Sequence, residues 1–122
     1  MSGSIDSVVT DIGEKSLDAL WMRASAISDN ISNADTPGYT AKTVTFEDQL
    51  NNALSGNTIT ESQLDNINPV ERDIPGTYGA QGNGVDIEDQ LTQLTQNQLQ
   101  YSYLERAVSD NLGLLMTAAG GK

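Results

Sequence analysis

The chain contains no cysteine and no histidine. Disulfide staples, thiolate nucleophiles, imidazole bases and the usual soft metal ligands are therefore missing, which removes most enzymatic mechanisms and leads us to expect no cofactor, no metal centre and no catalysis. Cations are scarce too. Lys15, Arg23, Lys42, Arg72, Arg106 and Lys122 stand against 17 acidic residues, giving a net charge of −11. They are scattered along the chain, so no basic patch forms and nucleic acid is not expected as a partner. Leu, Ile, Val and Phe total 27 of 122 residues, close to the roughly 20% below which a strongly charged chain stays disordered. An isolated copy should be only marginally folded. No apolar run approaches a membrane span, and Met1-Ser2-Gly3-Ser4-Ile5-Asp6 lacks the basic and apolar regions of a secretory signal. A location outside the cytoplasm would need another export route.

What the chain does have is helical periodicity at both ends. From about Ser4 to Asn33, Leu17, Leu20, Ala24, Ile27, Ile31 and Ala34 are spaced alternately by three and four residues, a heptad seam. Ile5, Val8, Val9 and Ile12 continue the apolar character upstream, and Gly13 shifts its phase, so a kink or break is expected there. Trp21 sits beside the seam, where packing or a partner contact is the expected role.

This first segment stops at Asn30-Ile31-Ser32-Asn33-Ala34-Asp35-Thr36-Pro37-Gly38-Tyr39. Thr36 precedes proline and is biased towards extended backbone. Pro37 and Gly38 suit the two central positions of a type II turn, proline by its fixed φ and glycine by its tolerance of positive φ. Asn33 is expected to cap the helix in the left-handed conformation. Beyond this rigid corner, Thr40 to Phe46 alternates like a strand and Glu47 to Leu54 reads as a short helix. Ser55 to Gly84, rich in glycine, asparagine and threonine, reads as loop with a small hairpin around Ile67 to Ile74, or as a segment ordered only by neighbours. Its carboxylates Glu61, Asp65, Glu71 and Asp73 fit neither a calcium-loop series nor a glycosidase pair.

Asp86 is a natural N-cap for a second long helix. Ile87, Leu91, Leu94, Gln98, Tyr101, Glu105, Val108, Leu112 and Leu115 follow a heptad ladder with two polar rungs, and Gly120-Gly121 ends it. The expected architecture is mainly α: the two terminal helices pack as an antiparallel coiled-coil hairpin around a loop-rich middle holding a short β-hairpin. The expected divisions within one domain are 1–34 and 85–122 for the helices and 35–84 for the turn and middle. The seam would comprise Leu17, Leu20, Ile27, Ile31, Leu91, Leu94, Tyr101, Val108, Leu112 and Leu115. Leu99, Tyr103 and Leu104, with Trp21, would remain outside it, and an exposed apolar strip of this kind marks an interface. Periodicity alone thus argues for a self-associating subunit.

The string Asn30, Asn33, Thr36, Pro37, Gly38 and Tyr39 resembles the N-x-x-N-x-x-T-P-G-Y signature of bacterial flagellar axial proteins, the rod, hook and hook-associated family. The likeness extends through Phe46 and resumes from Gly82-Asn83-Gly84-Val85-Asp86 through Leu94, Asn97-Gln98 and Tyr101. With the short chain, these features look most like the family's proximal rod subunits. The resemblance implies a structural subunit of the basal-body rod, assembled helically through its terminal helices into drive shaft and export-channel wall. It implies passage through the flagellar type III export apparatus without a cleavable signal and residence in the rod crossing the periplasm. Implied neighbours are copies of itself, other rod proteins and the rod base adaptor at the MS ring. Another axial subunit, or a free-standing coiled-coil adaptor or chaperone, is the alternative; a carboxylate-only enzyme is remote.

Overall fold

The computed structural model describes residues 5–54, 61–74 and 85–119, with side chains for 8–52, 62–74 and 85–110. Element order is α1 (Ile5–Ser32), β1 (Lys42–Thr45), α2 (Glu47–Leu54), α3 (Glu61–Asp65), β2 (Val70–Asp73) and α4 (Ile87–Ala119). The two long helices dominate. At 1.5 Å per residue, α4 with its 33 residues is about 50 Å long. It packs along α1 in the opposite direction, since Asn30 meets Gln90, Leu20 meets Asn97 and Gly13 meets Val108. The antiparallel pair expected from the sequence is present.

Helix α1 runs through Gly13 unbroken, so the break expected there as one alternative does not occur. The glycine has a packing role instead: a Cβ at this position would overlap a Val108 methyl, so its absence lets the two helices approach closely. Helix α4 starts as its sequence dictates. The Asp86 carboxylate accepts from the Asp89 amide at 3.3 Å, and Glu88 and Asp89 place negative charge in the first turn.

One face of α1 is covered by α4 and the other by the middle of the chain. Strands β1 and β2 form a two-stranded antiparallel sheet with Lys42 opposite Asp73 and Thr45 opposite Val70. The sheet expected in the middle is therefore there, but not as a hairpin confined to Ile67–Ile74: β2 pairs with β1, which precedes α2. Nor is the middle wholly loop. Leu64 and Ile67 are buried against Val8, with Ile12 and Leu50 alongside. A second cluster joins Ala19, Leu20 and Phe46 to Tyr101 and Leu104. Fully buried side chains such as Ile27, Leu64 and Val44 each contribute about 1.5–3 kcal/mol by leaving water.

The Asn30 junction and the outer helix faces

The corner after α1 is built on two asparagines. Asn30 has no exposed surface. Its amide nitrogen donates to the Lys42 carbonyl and to Gln90 Oε1, both at 2.8 Å. Its amide oxygen accepts from the Lys42 amide at 2.9 Å and the Tyr39 hydroxyl at 3.2 Å. One side chain thereby ties α1 to β1, to α4 and to the end of the turn, with its donors and acceptor occupied. Burial pushes the Tyr39 hydroxyl pKa up, and the carboxylates of Asp29, Glu71 and Asp73 reinforce the shift against the opposing pull of Lys42.

Asn33 caps α1, but not by the left-handed backbone expected for it. Among the described residues only Gly38 has positive φ. Asn33 donates instead from its side chain to the Asp29 carbonyl at 2.8 Å, which also accepts the Asn33 backbone N–H at 3.0 Å, and accepts from the Thr36 hydroxyl at 3.1 Å. The turn itself matches its sequence. Tyr39 N–H returns to the Thr36 carbonyl at 3.3 Å across Pro37 and Gly38, whose φ is +76°, as a type II turn requires.

Two turns before Asn30, Arg23 fastens the other end of β1. Its guanidinium donates to the Val44 carbonyl at 2.8 and 3.1 Å and to Glu47 at 2.7 Å, and stacks over the Phe46 ring. Asn30 and Arg23 together cover the edge of β1 that β2 leaves free, a sheet edge that would otherwise invite pairing with another chain. Burial alone would raise the Glu47 pKa, but the Arg23 hydrogen bond and charge, with hydrogen bonds from the Phe46 and Glu47 amides, outweigh it and hold the carboxyl below its ordinary value.

The seam between α1 and α4 uses a different stripe from the one the ladder marks. Leu20 and Ile27 are buried, while Leu17 and Ile31 are half-buried. On α4, Leu94, Tyr101 and Val108 are half-buried, but Leu91 is 50% exposed. Gln90 and Asn97 are buried, and the expected polar rungs Gln98 and Glu105 face solvent. Leu112 and Leu115 lie outside the residues whose side chains are described. Sequence reasoning missed Gln90 and Arg23 because each owes its role to a partner on another element; the seven-residue spacing of Arg23 and Asn30 on one helix face was the available signal.

Of the four candidate neighbour contacts, Leu99 and Tyr103 are 67% and 79% exposed, and Trp21 is 64% exposed. Leu104 is half-buried against the Leu20 and Phe46 cluster. They do not form one strip. Leu99, Tyr103 and Leu104 border an open apolar groove of about 570 Å³ with Ile12, Phe46 and Leu50. Trp21 borders a separate depression with Ala24, Gln98 and Tyr101. Among the described residues, no cluster of three or more acidic side chains could hold a metal ion, and no helix is long and apolar enough to cross a membrane.

A helix pair joined by this corner, with apolar surface left over outside its own core, is the architecture of an assembly subunit. Residues 16–40, which run from the middle of α1 to its end and through the whole turn, match the family model of flagella basal body rod proteins. The chain is 31% identical to the flagellar basal body rod protein FlgB of Borrelia hermsii, over 81% of this chain and 86% of the relative. It is 28% identical to FlgB of Bacillus subtilis over 99% of this chain and 97% of the relative, and 28% identical to FlgB of Escherichia coli over 84% and 86%. The chain belongs to the FlgB family of flagellar basal body rod proteins.

Proposed function

We propose that this structural subunit works in the proximal rod, without catalysis, and that it assembles helically through α1 and α4 to form part of the drive shaft and the wall of the export channel. The carrying observation is the large apolar surface that the folded chain leaves outside its own core, at Leu99 and Tyr103 on one groove and at Trp21 on another. Large exposed apolar side chains gathered at the rim of an apolar groove mark contact with other chains. In this reading residues 1–34 and 85–122 make the axial core. The neighbours are copies of the same chain, other rod proteins and the rod base adaptor at the MS ring. The subunit reaches the periplasm through the flagellar type III export apparatus without a cleavable signal.

A weakly apolar, acidic chain suits that route, because it stays soluble before assembly and gains its remaining burial only when neighbours arrive. Residue-resolved amide exchange tests the reading, measured on dilute full-length protein and again under assembling conditions. Exchange in residues 5–32 and 87–119 that slows further on assembly supports contact between subunits through the two helices. Full protection already in the dilute monomer, unchanged on concentration, counts against it and favours a self-sufficient adaptor.

A further inference from the structure

Helix α4 carries two overlapping heptad stripes that share Leu94, Tyr101 and Val108. One adds Leu91, Gln98 and Glu105; the other adds Gln90, Asn97 and Leu104. Each set of three holds one leucine and two polar residues, so burial of apolar surface scarcely separates them. Their midlines lie about 50° apart on a helix with 3.6 residues per turn. The structure turns the second stripe towards α1: Gln90 and Asn97 are each 3% exposed, while Gln98 and Glu105 face solvent.

Polar complementarity separates the two. Gln90 Oε1 receives the Asn30 amide at 2.8 Å, and Asn97 donates to the Leu20 carbonyl at 2.8 Å. The other rotation would break both bonds and carry the Glu105 carboxylate towards a seam with no cation placed to meet it: of the two cations on α1, Arg23 is engaged at β1 and Lys15 borders a depression with Asp11, Glu14, Asp18 and Asp65. We propose that Gln90 and Asn97 are positioning residues that select this rotation of α4 on α1. Asn97 is not there for maximal stability, because its amide oxygen is buried without a hydrogen-bond partner. Buried polar residues that cost stability yet fix the register of paired helices are the best-attested use of such groups. The inference concerns contacts within one chain and is independent of rod assembly.

The absence of cysteine allows a direct test. A Cβ at Gly13 would lie 3.6 Å from Val108 Cβ, within the separation that a disulfide spans. Full-length G13C/V108C therefore reports the paired helices, and G13C/E105C/V108A, which removes the Val108 methyl that a Cβ at position 13 would meet, reports the other rotation, in which position 105 turns inward. Both pairs are oxidised in dilute solution, and the intrachain product is read by its mobility in a denaturing gel. In the Q90A/N97A background the 13–105 cross-link, normalised to 13–108, should rise about tenfold, as expected for losing two hydrogen bonds of discrimination. An unchanged ratio overturns the proposal and assigns the rotation to apolar packing. If circular dichroism shows the double variant unfolded, N97A alone decides: a smaller rise in the same direction supports the proposal, and none overturns it.

Discussion

The Asn30 side chain pairs with Lys42 as a neighbouring strand would, donating to its carbonyl at 2.8 Å and accepting from its amide at 2.9 Å. A carboxamide has the donor and acceptor spacing of a peptide group, so α1 offers β1 a substitute for a third strand. Truncation by Asn30→Ala strands the Lys42 amide and carbonyl and Gln90 Oε1 without partners in a buried site. At about 1–3 kcal/mol for each buried group left unsatisfied, the variant should lose about 3 kcal/mol or more in urea unfolding followed by circular dichroism. Asn30→Asp keeps the acceptor but loses both donors and adds a buried charge, so it should be no better at neutral pH and improve as the carboxyl protonates. Unfolding within error of the parent for Asn30→Ala would remove the junction from the centre of the fold.

The corner makes a narrower prediction. Gly38 has φ +76° and nothing within 4 Å of where a Cβ would stand. Substitution therefore meets backbone strain but no clash. Gly38→Ala should cost about 1–2 kcal/mol, and Gly38→Asn less, because asparagine tolerates the left-handed region. The Pro37→Ala/Gly38→Ala pair should impair assembly, read as swimming in a complemented deletion strain, more than it impairs solubility. Normal swimming with that pair would show that the corner's rigidity is dispensable.

Glu47 supplies a pH dependence. Its folded-state pKa lies below the ordinary value of 4.5, so the carboxylate is favoured in the folded state. Its contribution is present above pH 4.5 and disappears as the pH falls through the lower folded-state value. Unfolding midpoints measured from pH 6 downwards should therefore fall more shallowly for Glu47→Gln than for the parent in that window. Identical slopes would mean that the Arg23 pair contributes nothing to acid sensitivity. The effect should be small, because Glu47 is more than half exposed and water screens the pair.

Patterns carried by neighbours in sequence were legible before the structure. The type II turn at Thr36–Tyr39, the N-cap at Asp86, the short helix Glu47–Leu54 and the two long helices all follow from local spacing and backbone preference. Features decided between distant elements were not. Gly13 looks like a helix breaker until Val108 is seen against it, and β2 finds its partner across α2 and α3. The stripe that faces α1 could not be read from apolar spacing, because Leu94, Tyr101 and Val108 belong to both candidates and only Asn30 and the Leu20 carbonyl tell them apart.

The apolar groove separates folding from assembly within one set of residues. Phe46 forms its floor and is 6% exposed, whereas Leu99 and Tyr103 stand on its rim mostly in water. Phe46→Ala removes a packed ring and should cost about 3–5 kcal/mol. Leu99→Ser and Tyr103→Ser lose little that the folded monomer had buried, so each should stay within about 0.5 kcal/mol of the parent. If the rim meets a neighbouring subunit, both serine variants should nonetheless reduce swimming in a deletion strain, and together more than singly. Their thermal unfolding would be near that of the parent, which distinguishes a lost contact between subunits from a lost fold. Full motility for Leu99→Ser/Tyr103→Ser would remove this groove from the assembly surface and make the Trp21 depression the next site to test.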